Sequence, residues 1–191
     1  METLGIGACT MPYLFGRIRK KYRTLVVDPP WPMRKINRKV RPRQGSFLDY
    51  PVMSLEEIEA LDINHWATRD AYCFLWTTQK FIKPAFEILE AWEFPYVCTI
   101  TWCKPTGICP YNPFQFASEF VLFGCRDRKV FRQFRMGTVK TWFCTKGRPR
   151  HSEKPEQFYQ MIRRITPEPR IDLFARRRHK GFDAWGNQVE E

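Results

Sequence analysis

The 191-residue chain has no run of about 20 apolar residues of the kind that spans a bilayer. Its first twenty residues also lack the apolar stretch of a secretory signal, so a soluble, cytoplasmic protein is expected. Histidine is scarce: His65, His151 and His179 lie far apart, with no HxxxH or Cys/His cluster joining them. Seven cysteines are scattered without a CxxC pair, and an odd, dispersed set frames neither a disulfide scaffold nor a zinc knuckle. They read as reduced thiols, mostly in the core, and no metal site is expected. No internal repeat and no dividing linker appears, so residues 1–191 are expected to form one domain, with residues 1–21 as a basic extension. Acidic residues are in deficit, 20 Asp and Glu against 32 Lys and Arg, for a formal net charge of +12. That balance fits a polyanionic partner, with nucleic acid as the default, and equally a well-solvated basic surface. A 16% aromatic content excludes a disordered chain.

Strand-like apolar runs alternate with helical ones, which predicts an α/β domain with a largely parallel sheet. Strands are expected over Arg23–Asp28, Ala71–Trp76, Tyr96–Trp102, Glu119–Cys125 and Arg170–Phe174. Ser54 and Glu57 form a capping box ahead of one helix. Others are expected over Phe81–Trp92, with Pro84 in the first turn, and over Glu156–Ile165. Three segments break this rhythm: Met33–Tyr50, Lys104–Ser118 and Arg126–Arg150. Each follows a strand, and ligands of open α/β sheets collect beyond the carboxyl ends of strands. All three loops are therefore expected around one site.

The sharpest local signal is Asp28, Pro29, Pro30 and Trp31, at the end of the first expected strand. Two prolines stiffen the backbone and remove two amide donors, leaving carbonyl acceptors. Asp28 adds a further acceptor and Trp31 a flat π-surface. Together they suit a planar group that donates hydrogen bonds, such as the exocyclic amine of a heteroaromatic base; the plain alternative is a tight turn. Asp172, within the last expected strand, is a poor core residue unless satisfied, and an ion pair with a nearby arginine is its plain reading.

The motifs VVDPPW, YPVMSLEEIEAL, AYCFLWTT, AFEILEAWEF, ITWCK, HSEKPEQFYQMI and RIDLFARRRHKGFDAWGN follow one another from Tyr22 to Gln188. In that order they resemble the MT-A70 family of S-adenosylmethionine-dependent adenine-N6 methyltransferases. The resemblance implies a Rossmann-like fold with helices on both faces and a permuted order, catalytic motif before cofactor motif. It implies that Asp28 and the Pro29 carbonyl accept the N6 amino hydrogens, with Pro30 shaping the turn and Trp31 or a neighbouring aromatic stacking on adenine. For S-adenosylmethionine it implies Lys154 near the methionine carboxylate, Asp28 and Asp172 facing the cofactor, and Arg176, Asn187 and Gln188 at the ribose and amino-acid end. No metal is implied, because the leaving group is a neutral thioether.

Arg34, Lys35, Arg38, Lys39 and Arg41 leave the catalytic motif and are candidate phosphate contacts. Tyr50, Glu119 and Trp142 complete the substrate candidates, Trp142 within the basic and aromatic Arg126–Arg150 loop, which otherwise reads as a loop packing its own aromatics. DNA is favoured as partner, by analogy with short stand-alone relatives. RNA, or a catalytically silent nucleic-acid-binding subunit, is the alternative, and a homo- or heterodimer fits these features as well as a monomer does. Three departures stand out: Ser118 and Glu119 where relatives have His-Glu, Glu93 where a glycine follows the tryptophan, and no counterpart of an acidic cofactor contact upstream of Asp28.

Overall fold

Near-continuous burial along the central strands builds a sheet with apolar side chains packed on both faces. The computed structural model describes residues 20–33, 52–104, 109–111, 113–129, 138–145 and 154–186. Its strands are β1 (Tyr22–Val27), β2 (Ala67–Thr77), β3 (Tyr96–Cys103), β4 (Cys109–Tyr111), β5 (Phe114–Phe116), β6 (Ser118–Cys125), β7 (Trp142–Cys144), β8 (Arg170–Leu173) and β9 (Asp183–Trp185). Seven of them form one sheet in the order β7-β3-β6-β2-β1-β8-β9, and β4 and β5 make a separate hairpin. The helices are α1 (Leu55–Glu59), α2 (Ile63–Trp66), α3 (Ile82–Ala91) and α4 (Glu156–Ile165).

Leu25 and Val27 of β1 face a core shared with Ile58 of α1, Trp66 of α2 and Ile88 of α3. Val26 faces the opposite side, with Phe74, Trp76 and the α4 residues Phe158, Tyr159 and Ile162. Helices thus cover both faces, the Rossmann-like arrangement that the resemblance implies, on the α/β pattern expected from the alternation of elements. The capping box forms as expected, with the Ser54 amide donating to Glu57 Oε2 at 2.7 Å and the Glu57 amide to Ser54 Oγ at 3.1 Å. Pro84 falls in the first turn of α3, where its missing N–H has no intrahelical partner to lose.

Strand direction changes the placement of one loop. β1 pairs parallel with β2 and β8, and β3 with β7, but β6 is antiparallel to both β2 and β3. The carboxyl ends of β1, β3 and β8 therefore share one edge with the start of β6, so Glu119 is there while Arg126 lies at the opposite edge. Arg126 is consumed structurally, donating to the carbonyls of Thr68 and Trp92 and to Asn64 Oδ1, with its guanidinium 4.5 Å from the Phe94 ring centroid. The expectation that all three loops open around one site is corrected in part: the third segment starts at the far end of the sheet, and only its β7, parallel to β3, runs back toward the site's edge.

The end of α3 explains one sequence departure. The Phe94 amide donates to the Leu89 carbonyl and the Glu93 amide to Glu90, the two bonds of a Schellman cap. Its left-handed position is Glu93, at φ 61°, where a glycine carries no Cβ penalty. Replacing Glu93 with Gly should stabilise the protein by about 1 kcal/mol, read as a higher urea midpoint with an unchanged slope.

Candidate active site

Asp28 follows β1 directly, and its amide donates to the Leu173 carbonyl of β8 at 3.2 Å. The chain leaves β1 toward β2 and the adjacent β8 toward β9, in opposite lateral directions, and a crevice opens beyond their carboxyl ends. The crevice is lined by Asp28, Lys154, Tyr159, Asp172, Phe174 to Arg177 and His179.

The prolines after Asp28 set a stiff return of the chain. The Trp31 amide donates to the Pro29 carbonyl at 2.8 Å, and the Met53 amide to the Pro30 carbonyl at 2.9 Å. Pro30 thus anchors the segment leading into α1. Trp31 departs from its expected stacking role. Its indole is 6% exposed, donates from Nε1 to the Trp76 carbonyl at 3.0 Å and stacks on Phe81 with ring centroids 5.3 Å apart. An indole N–H needs a partner when buried, and the core supplies one, so Trp31 fixes the motif from behind.

Four charged side chains from distant positions meet at this edge. Lys154 Nζ lies 3.1 Å from Asp28 Oδ1 and 3.0 Å from Glu119 Oε2, and Lys104 Nζ lies 2.6 Å from Glu119 Oε1. The Lys154 ammonium also sits 4.6 Å from the Trp76 ring centroid. Burial pushes the Glu119 carboxyl up, but Lys154 and Lys104 outweigh it and bring it down to about 2. Burial would also strip Lys154 of its proton; Asp28 and Glu119 reverse that and hold it above the ordinary lysine value. Asp28 comes out raised, since burial and the neighbouring Glu119 charge exceed the pull of Lys154 and Arg176. Lys154, expected near a cofactor carboxylate, here bridges two protein carboxylates, which orients Asp28.

Asp172 is 2% exposed and accepts a 2.8 Å hydrogen bond from the Tyr159 hydroxyl. Burial, reinforced by Asp28 and opposed by Tyr159 and Lys154, raises its carboxyl to about 8. Tyr159 is absent from the sequence candidates, because its place beside Phe158 and Ile162 on the apolar face of α4 looks like core packing. His179 is absent from them too; its ring stacks on Tyr159 at 3.4 Å and 13°. Arg177 Nε donates to His179 Nε2 at 3.4 Å, so Nδ1 carries the proton and donates to Glu156 Oε2 at 2.8 Å. Phe174, at φ 63°, holds a left-handed conformation that is rare for an aromatic residue, and such strain concentrates at functional sites. The next turn is closed by Gly186: a Cβ there would meet the Ala175 carbonyl oxygen at 2.3 Å, so only glycine permits the approach.

Of the remaining candidates, Arg176 lines the crevice. Trp142 does not join the charged cluster: it lies on the edge strand β7, two strands from β6, 53% exposed, with Lys140 Nζ 5.2 Å from its ring centroid. Arg34, Lys35, Arg38, Lys39, Arg41, Tyr50, Asn187 and Gln188 lie outside the described residues.

A family model, MT-A70, matches residues 22–188, which include every element of this crevice. The chain belongs to the MT-A70 family. Among its relatives, the type II methyltransferase M.MunI of Mycoplasma sp is 27% identical over 197 residues, covering 91% of this chain and 80% of the relative. Human N(6)-adenine-specific methyltransferase METTL4 is 25% identical over 95% of this chain and 40% of its own length. The human N(6)-adenosine-methyltransferase catalytic subunit METTL3 is 26% identical over 95% of this chain and 30% of its own length. The chain thus spans most of M.MunI and less than half of the two human relatives. An MT-A70 chain implies a methyl donor, and the crevice fits one of mixed charge: two carboxyls and three cationic side chains face a single cleft. Among the described residues no helix is long and apolar enough to cross a membrane.

Proposed function

We propose that this protein is a single-domain, intracellular S-adenosylmethionine-dependent methyltransferase that modifies the N6 amino group of adenine in nucleic acid, with DNA as the favoured polymer. The observation that carries this reading is the Asp28 carboxylate, held by Lys154 at the mouth of the crevice. The adenine amine is a weak nucleophile because its lone pair is delocalised into the ring. Asp28, with the second lone pair of the Pro29 carbonyl, accepts the amine's hydrogens and draws electron density back to nitrogen, which is catalysis by positioning and electrostatics. Bound S-adenosylmethionine supplies an electrophilic methyl group on a sulfonium. Asp172, fixed by Tyr159, accepts from a cationic or hydroxyl group of that donor, and Arg176 faces the same cleft. A departing N6 proton leaves beside Asp28, so no stronger base is needed.

DNA is favoured because the match runs along most of M.MunI, a type II methyltransferase, but along only 30% of the N(6)-adenosine enzyme METTL3. Incubation with labelled S-adenosylmethionine and DNA, followed by nucleoside analysis, should yield N6-methyldeoxyadenosine. Label on RNA alone would reassign the polymer. No transfer to any polymer by folded protein would point to a silent, nucleic-acid-binding subunit.

Reversing the charges of Arg38, Lys39 and Arg41 should weaken DNA binding and flatten its salt dependence by about 0.9 in log–log slope for each phosphate no longer neutralised. Fluorescence anisotropy across a salt series measures this, and an unchanged slope removes these residues from the interface.

A further inference from the structure

We propose that Cys103 and Cys144 form a dithiol site that a peroxide closes, reversibly, to an intramolecular disulfide. The two residues are Cα partners across the parallel pair β3–β7. Register partners in neighbouring strands project to the same face, and strands lie about 4.8 Å apart, inside the roughly 4.4–6.8 Å Cα window of disulfides. Flanking bonds hold the strands in register around the two cysteines: the Thr101 amide donates to the Thr141 carbonyl at 2.8 Å, and Trp102 Nε1 donates to Thr145 Oγ1 at 3.1 Å.

Access separates this pair from the buried thiols. Cys73 and Cys125 are buried, whereas Cys144 is exposed on the edge strand and Cys103 is half-buried beside it. These positions set the roles. The Cys144 thiolate attacks a peroxide oxygen, the O–O bond breaks, and one water leaves as Cys144 becomes a sulfenic acid. Cys103 sulfur then attacks Cys144 sulfur; the S–O bond breaks, the S–S bond forms, and a second water carries away the Cys103 proton. Two thiols lose two electrons and the peroxide gains them. Burial, with the neighbouring Cys144, holds the Cys103 thiol up, which disfavours Cys103 as the sulfur that meets the peroxide first.

The pair also adjoins the active site. Cys103 is followed by Lys104, whose ammonium holds Glu119 and, through it, Lys154 and Asp28.

The test treats the reduced full chain with hydrogen peroxide, alkylates the remaining thiols and maps the peptides by mass. A cross-linked Cys103–Cys144 peptide is expected, with two fewer alkylated thiols, a higher thermal midpoint and full reversal by dithiothreitol. Cys144→Ser should abolish the cross-link and the thermal shift and leave Cys103 open to alkylation. Cys144 oxidised to sulfinic acid without a cross-link, or paired with another cysteine or another chain, would overturn the assignment. None of these readouts requires methyl transfer, so the result is independent of the proposed activity.

Discussion

Replacing Asp28 with Ala lowers methyl transfer to adenine by about 10^3-fold, the scale of removing one preorganised electrostatic group from a catalytic site, while the protein stays folded and still binds S-adenosylmethionine. Folding survives because Lys154 is shared. Its ammonium lies 3.0 Å from Glu119 Oε2 as well as 3.1 Å from Asp28 Oδ1, so removing Asp28 leaves no unpaired buried cation. The reverse change is more damaging: Lys154→Ala would leave Asp28 without its partner and Glu119 with Lys104 alone, a loss that approaches the roughly 3–5 kcal/mol of breaking a fully buried pair without reaching it, since Lys154 and Asp28 keep 14% and 21% of their side-chain surface exposed. Asp28→Ala is therefore the clean probe of chemistry. Single-turnover rates at saturating cofactor, with binding followed by calorimetry, separate the two effects. Equal rates in wild type and variant would remove Asp28 from the reaction, and loss of cofactor binding in parallel with rate would make it a cofactor ligand instead.

The five long strands and three helices are visible in the sequence because their signals are local. Apolar runs such as Arg23–Asp28 and Ala71–Trp76 and the Ser54/Glu57 capping box need no knowledge of the rest of the chain. Strand direction carries no such signature, so the antiparallel course of β6, and with it the far-end position of Arg126, is hidden. β7 and β9, of three residues each, are too short to show a period. At the site, a motif locates Asp28 but does not disclose what holds it. Lys104, Glu119 and Lys154 come from three different segments, and only the sheet order brings them together. Trp31 is illegible for a related reason: its partner, the Trp76 carbonyl, is a backbone group 45 residues away. Tyr159 is hidden differently, since its ring belongs to the core and only its hydroxyl reaches Asp172.

That hydroxyl leads to the second large effect, a stability that falls with rising pH because of one residue. Asp172 titrates at about 8 in the folded protein, against about 3.9 in an unfolded chain. For a carboxyl raised in this way, the native state binds more protons between the two values, so its contribution to stability is full below the unfolded value and is lost as pH rises through about 8. The slope is one proton's worth, about 1.4 kcal/mol per pH unit within that window. Asp172→Asn removes the titration but keeps an oxygen for the 2.8 Å bond from Tyr159, so the fold should persist. Urea unfolding at about pH 5 and about pH 8 should show the wild type losing stability relative to the variant as pH rises. Parallel curves would mean that Asp172 is ionised in the free protein. The same carboxyl links pH to the methyl donor: a cationic or hydroxyl group bound beside it favours the ionised form, so wild-type affinity for S-adenosylmethionine should strengthen as pH approaches about 8 and then level off. In the Asn variant the affinity should be weaker and flat over that range. Because Tyr159 stabilises ionised Asp172, Tyr159→Phe should move the levelling point upward, an effect on a pH midpoint that mere loss of core packing would not produce.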